Sequence, residues 1–368
     1  MANTNETLGN AWQEILTGVD GLRDRIHQRA EVGDQDALAA ARAMVEAFAA
    51  PTHPAGPEMP APIDVASALL HKPAPLDHVL PGLLAGDVGL LVAPGGSGKG
   101  FLALEIAVSV ALGLPLAGGA WPAPEKTGRV VYLAGEDTPA VLSHRLYALG
   151  QWLSESGPML LEHFAKQFAL HSLVGTIPEI VSEEGQRGPW WQTIRQVAEG
   201  ARLLILDPLA RMHSGEENAS AIMTRLVQHI EAIAQETGSS ILVLHHTNKV
   251  SALSGTGEVQ QAARGSSALT DAVRWQGNLS GMPQAVAKEI GLPEDRRRFW
   301  LRLSLSKSNY VAPLADTWLR RGEGGILTVG DPASEATGEP KGSGKGKATK
   351  SAKASTISSP IDDSEHHF

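Results

Sequence analysis

Apolar and polar positions alternate in two registers along this chain, and the register changes with position. Between residues 8 and 50 the apolar residues Trp12, Ile15, Leu16, Val19, Leu22 and Ile26 recur every three or four places, which puts them on one stripe of a helix. A second run, Ala37–Ala49, sets Leu38, Val45 and Phe48 among alanines. These residues predict an N-terminal helical arm over 1–50. Two roles stand open for it, a helical hairpin packed on the main domain or an interaction arm. The prolines from Pro51 to Pro62 cannot continue a helix or a central strand, so 51–64 is expected to be a linker.

From Asp77 to about Thr328 short continuous apolar runs take over. Strands are expected at Gly89–Ala93, Arg129–Ala134, Leu203–Leu206, Ser240–Leu244 and Phe299–Leu305. Helical patterns separate the first four, at Lys99–Leu112, Pro139–Leu149, Pro189–Glu199 and Ser220–Glu236. Strand and helix in alternation predict an α/β fold with a mostly parallel sheet flanked by helices, whose ligands sit at the carboxyl ends of the strands. The ATPase domain is expected to span 65–329. From Gly330 the chain turns to Gly, Ser, Lys and Pro and is expected to be a disordered tail. Its lysines (Lys341, Lys345, Lys347, Lys350 and Lys353) serve either solvation or a weak nucleic-acid contact.

Composition narrows the class. Without cysteine there is neither a disulfide framework nor a thiolate metal site, which fits a reducing cytoplasm. No apolar run approaches the ~20 residues that cross a bilayer, and Met1–Thr7 lacks a signal pattern, so a cytoplasmic protein with no membrane partner is expected. The net charge of −9 argues against a surface coated for nucleic acid. Gln260–Ile326 nevertheless carries ten Lys/Arg against six Asp/Glu.

The chemistry gathers at strand ends. Gly89-Leu-Leu-Val-Ala-Pro-Gly-Gly-Ser-Gly-Lys-Gly100 is an apolar strand, a glycine-rich turn and the start of an apolar helix. Glycines let backbone N–H groups converge on phosphate oxygens, the helix N-terminus adds its positive end, and Lys99 supplies a point charge. The candidate nucleotide contacts are Pro94, Gly95, Gly96, Ser97, Gly98, Lys99, Gly100 and Phe101, with ATP and Mg²⁺ as the implied ligands. Gly100 stands where Ser or Thr normally ligates the metal, so serine there is expected to lower the Mg²⁺ requirement and speed turnover. The similar letters Gly342-Ser-Gly-Lys-Gly-Lys347 have no strand before them and are rejected.

Leu203-Leu-Ile-Leu-Asp207 is a buried-strand run ending in a carboxylate 108 positions after Lys99, a Walker B arrangement in which Asp207 is the candidate metal ligand. Val130-Val-Tyr-Leu-Ala-Gly-Glu136-Asp137 ends in two acids. Glu136 is the candidate for polarising the attacking water, and Asp137 is the candidate cap of the following helix. Ile241-Leu-Val-Leu-His245-His246 ends in two histidines. A polar residue there either senses the γ-phosphate or is a hydrogen-bonded histidine at a strand end. Thr247–Gln261 is expected to be a mobile loop.

These motifs keep their order across 65–328 and together resemble the RepA-type hexameric replicative helicases of broad-host-range plasmids, in the RecA/DnaB superfamily. The resemblance rests on Ala93-Pro-Gly-Gly-Ser-Gly-Lys, Tyr132-Leu-Ala-Gly-Glu-Asp, His144-Arg-Leu-Tyr-Ala-Leu-Gly150, Leu206-Asp207 and Leu244-His-His246. Arg264-Gly-Ser-Ser267, Arg274-Trp-Gln276 and Ser306-Lys-Ser-Asn-Tyr310 extend it. It implies a RecA-like fold, a homo-hexameric ring with ATP between subunits, and DNA-helicase activity. It also implies single-stranded DNA held by loops after His246, with a replication initiator or primase as further partner. It maps the phosphate lysine onto Lys99, the catalytic acid onto Glu136, the metal aspartate onto Asp207, the sensor onto His246, an arginine finger onto Arg274 and a second trans cation onto Lys307. Asn309 occupies the place of that pair's arginine. Two rivals remain, a slow-hydrolysing regulatory protein acting through its assembly state and a filament-forming recombination ATPase.

Overall fold

The computed structural model describes residues 21, 24, 59–215, 219–246 and 267–336. The N-terminal arm, the loop after His246 with Arg264, and the tail beyond Ala336 lie outside the described residues. The chain divides into two units, Met1–Ala74 and Pro75–Phe368. In the first, residues 59–64 carry no regular structure, and α1 (Val65–Leu70) starts where the Asp64 carboxylate accepts the Ser67 amide at 2.9 Å. The compact ATPase unit therefore begins at Pro75, ten residues later than expected.

A short hairpin, β1 (His78–Leu80) and β2 (Leu83–Leu84), leads into the second unit. A nine-stranded sheet follows. Its parallel part runs β8 (Trp275–Gly281), β3 (Val88–Ala93), β7 (Ser240–His246), β6 (Leu203–Asp207), β4 (Val130–Ala134) and β5 (Phe168–Ser172). Beyond β8, the strands β9 (Trp300–Ser308), β10 (Thr317–Arg321) and β11 (Leu327–Val329) add an antiparallel edge. The α/β class, a mostly parallel sheet flanked by helices, is the one expected.

β3, β4 and β6 are buried at every position, because both faces of the sheet are covered. Successive residues point to opposite faces. Leu91, Ala93, Tyr132 and Ile205 join one apolar cluster with the helix α2 (Lys99–Leu112). That face also takes Leu142, Leu149 and Leu153 of α3 (Pro139–Ser156) and Phe164 of α4 (Pro158–Gln167). Leu90, Val92, Val131 and Leu204 join the other cluster, with Trp191 and Ile194 of α5 (Trp191–Ala198) and Leu226, Val227 and Ile230 of α6 (Ser220–Thr237). α7 (Ser267–Ala272) precedes β8.

Two expectations shift. α8 (Gln284–Glu289) and α9 (Glu294–Arg297) lie between β8 and β9, where no helix was expected. The folded unit also continues past Gly330 into α10 (Pro332–Ala336), where Pro332 is buried. There Glu335 accepts from Trp300 and Arg320 at 2.9 and 3.0 Å, and these partners with Arg296 hold its carboxyl down at about 2.

Candidate nucleotide site

Parallel pairing brings the chemistry to one edge of the sheet. Ala93 stands opposite His246, and Ala134 opposite Asp207, so the loops after β3 and β4 meet the last residues of β6 and β7. Pro94, Gly95, Gly96, Gly98, Lys99, Gly100 and Phe101 line a single open cleft of about 320 Å³. Glu136, Asp207 and His246 line the same cleft. Ser97 is turned into its own loop, where its hydroxyl donates to the Pro94 carbonyl at 2.7 Å. Gly96 and Gly98 have φ of 73° and 99°, which a residue with a Cβ adopts only at a cost, and Gly98 is the residue from which α2 starts. The four unpaired N–H groups of that helix end face an anion site.

The buried charges are paired. Lys99 Nζ donates to Asp207 Oδ1 at 2.6 Å, and the Tyr132 hydroxyl donates to Oδ2 at 2.5 Å. Burial, together with the Asp207 charge, pushes the Tyr132 hydroxyl up, so it remains a donor. Arg145 on α3 holds Asp137 with two bonds, at 2.6 and 2.9 Å. The cap of α3 is Thr138 instead of Asp137, which is committed to that ion pair. Glu136 is half exposed and sits 3.3 Å from Arg211 Nε, a contact weak enough to open for a water molecule.

A magnesium ion needs several oxygens in octahedral order. Asp207 has the right chemistry, but both its oxygens are engaged by Lys99 and Tyr132. Gly100 offers no oxygen, and a Cβ at that position would lie 2.7 Å from Arg145 Nη1. Among the described residues no group of three His, Asp or Glu side chains is placed to hold a metal. The residues present therefore do not fit a metal ion held on the loop side of the cleft. Gly100 is a place kept open for a guanidinium, and the expectation that serine there simply recruits a metal does not account for Arg145.

Two of the expected site residues lie elsewhere. Trp275, next to Arg274, pairs with Gly89, four residues before the end of β3, roughly 13 Å of strand from the loop. Lys307 pairs with Gln276 at that same far end, and its Nζ donates to the carbonyls of Thr270 and Asp271 at the end of α7. Burial lowers the Lys307 pKa, and the Arg274 charge nearby lowers it further. Arg274 is exposed, in the field of Asp87 and Glu231.

Sequence reasoning missed Tyr132, Arg145, Arg321 and Gly325 as parts of the cleft. Arg145 had a signal, since it lies eight positions after Asp137 within a motif already singled out. Arg321 arrives from β10, 225 positions from the Gly96 carbonyl to which it donates at 3.3 Å, and nothing local announces it.

Solved structures with related folds include the RadB recombinase, at 18% identity over 68% of this chain and 92% of that chain, with a TM-score of 0.42. The ATPase domain of a helicase matches at 13% identity over 66% of this chain and 84% of that one, with a TM-score of 0.48. The sequence model of an AAA domain family matches residues 54–252, more than half of the chain. With the glycine-rich loop, Lys99 and Asp207 in one cleft, that match identifies this chain as a member of the AAA domain family, carrying a P-loop ATPase domain.

Proposed function

We propose that this protein is an ATP-hydrolysing DNA helicase of the RepA type, a ring, read as a homo-hexamer, that translocates on single-stranded DNA in plasmid or phage replication. The observation that carries the reading is the separation of Arg274 and Lys307 from the cleft of their own chain. Exposed cations at the far edge of the sheet have no reach to their own phosphate loop, but they suit a nucleotide held by a neighbour.

In this reading Lys99 leaves Asp207 for the β- and γ-phosphates. Glu136, freed from Arg211, orients the water that attacks the γ-phosphate. His246, level with Ala93, reports whether that phosphate is present. Arg274 of a neighbour stabilises the charge spread over the transferring group. Asp207 is the one side chain proposed as a ligand for magnesium brought in by the nucleotide. A replication initiator or primase is the proposed partner, and the loop after His246 is the proposed DNA contact.

A second reading, a slow-hydrolysing regulatory protein, is favoured by the missing hydroxyl at Gly100. The ATPase rate with and without single-stranded DNA separates them. The helicase reading expects stimulation of about tenfold or more, roughly 1.4 kcal/mol off the barrier. A rate that ignores DNA at every concentration supports the regulatory reading.

A further inference from the structure

Lys99 is flanked by two glycines, and a guanidinium rests against each. A Cβ on Gly100 would meet Arg145 Nη1 at 2.7 Å, and a Cβ on Gly98 would meet Arg321 Nη2 at 3.0 Å. The arginines come from separate parts of the fold, Arg145 from the second turn of α3 and Arg321 from the last residue of β10. Both converge on the first turn of α2, where only residues without side chains leave them room. Arg145 is fixed further by the two bonds to Asp137 and by its place 5.9 Å from the Phe101 ring centroid.

The charges of the cleft do not cancel. Its cations are Lys99, Arg145 and Arg321, and its carboxylates are Glu136, Asp137 and Asp207. Lys99 pairs with Asp207 and Arg145 with Asp137, while Glu136 faces Arg211, which is not part of the cleft lining. Among the described residues no carboxylate pairs with Arg321. Its bond is to the Gly96 carbonyl, and burial pulls its pKa down. A partly desolvated guanidinium with several donors unused is a seat for a multivalent anion, and its planar fork matches phosphate oxygens.

We infer that this site neutralises the phosphates of its nucleotide with Arg145 and Arg321 of the same chain, seated on Gly100 and Gly98, so that nucleotide binding does not depend on a divalent cation. The inference rests on the reading of the cleft as a nucleoside triphosphate site. Elsewhere a hydroxyl at the position of Gly100 holds the ion that bridges the β- and γ-phosphates. Here a fixed positive charge stands in that place, and the second arginine approaches from the opposite side of the lysine.

The test is an equilibrium titration of the full chain with a fluorescent ATP analogue, in Mg²⁺ and again in EDTA. The wild type is expected to change its Kd by no more than about threefold between the two, under roughly 1 kcal/mol. Arg321→Gln is expected to weaken binding about tenfold or more in both buffers, the size of one charge-assisted contact. Arg321→Lys, which keeps the charge, is expected to lie between them and serves if the glutamine variant melts early. Gly100→Ser pushes Arg145 aside and adds a metal ligand, so its binding is expected to become Mg²⁺-dependent. A wild type that binds tightly in Mg²⁺ and loses about a hundredfold or more in EDTA overturns the inference while leaving the nucleotide site intact. A wild type that binds in neither buffer overturns both.

Discussion

Lys99 and Asp207 hold each other across the end of the sheet, Nζ 2.6 Å from Oδ1, with each residue only 8% exposed. A pair this buried keeps the lysine from any other partner until a stronger anion arrives. Phosphate has to compete with the aspartate for Lys99, and the competition is part of the binding free energy. Asp207→Asn keeps the shape and an oxygen for the Tyr132 hydroxyl while removing the competing charge. In EDTA, where no metal is at stake, this variant should bind the fluorescent ATP analogue severalfold more tightly than the wild type. Phosphate release in Mg²⁺ should fall to background. Weaker binding in EDTA would show that the pair assists the phosphate site instead of occupying it.

Catalysis between chains follows from the position of Arg274. Arg274→Ala should abolish hydrolysis while sparing nucleotide binding and assembly, because the residue lies at the far edge of the sheet from its own phosphate loop. Glu136→Gln should abolish hydrolysis from the other half of a shared site. Rings mixed from the two variants contain some sites with an intact acid and an intact arginine, so they should regain measurable ATPase activity. If mixtures at every ratio stay no more active than either parent, Arg274 does not act on a neighbour's nucleotide.

The parts of this molecule that were legible in the sequence are those that depend on neighbours in the chain. β3, β4, β6 and β7 are apolar runs because both their faces are covered, and the glycine-rich loop announces itself by composition. β8 was not legible, although it is central, since its sequence is Trp-Gln-Gly-Asn-Leu-Ser-Gly. Its buried amides answer one another, Gln276 Nε2 donating to Asn278 Oδ1 at 2.8 Å, so polar residues occupy a strand that hydropathy reads as loop. Gly277 is needed there because a Cβ would press on the Trp275 ring at 3.0 Å. β5 was missed for another reason. It is an edge strand, half-buried, and continues directly from α4 without a turn residue. In the site, Lys99 and Asp207 were readable from motifs, whereas Arg321 depends on where the antiparallel edge folds back, which is a property of the tertiary structure.

Stability should depend on pH through Glu105, on the buried face of α2. Its Oε1 accepts the Leu327 amide at 2.7 Å, and burial raises its pKa to about 8. The folded state therefore holds a proton that the unfolded state, titrating near the ordinary 4.5, has released. The contribution is full below that value and is lost as pH rises toward about 8. Glu105→Gln keeps the acceptor and removes the ionisation. Its melting temperature should match the wild type near pH 5 and exceed it at pH 9, by on the order of 5 °C. Parallel melting curves for the two proteins across this range would mean that Glu105 does not titrate in the folded state.

The central claim is that the loop from Ala93 to Gly100 seats the phosphates of a nucleoside triphosphate, with Lys99 as its principal charge. The most direct measurement is an equilibrium titration of the fluorescent ATP analogue against wild type and Lys99→Ala. Circular dichroism should verify that both are folded. Removing one charge-assisted phosphate contact is worth about 1.5–3 kcal/mol, so the alanine variant should bind roughly tenfold to a hundredfold more weakly. Equal affinity in a folded Lys99→Ala protein would contradict the account and place the nucleotide somewhere other than this cleft.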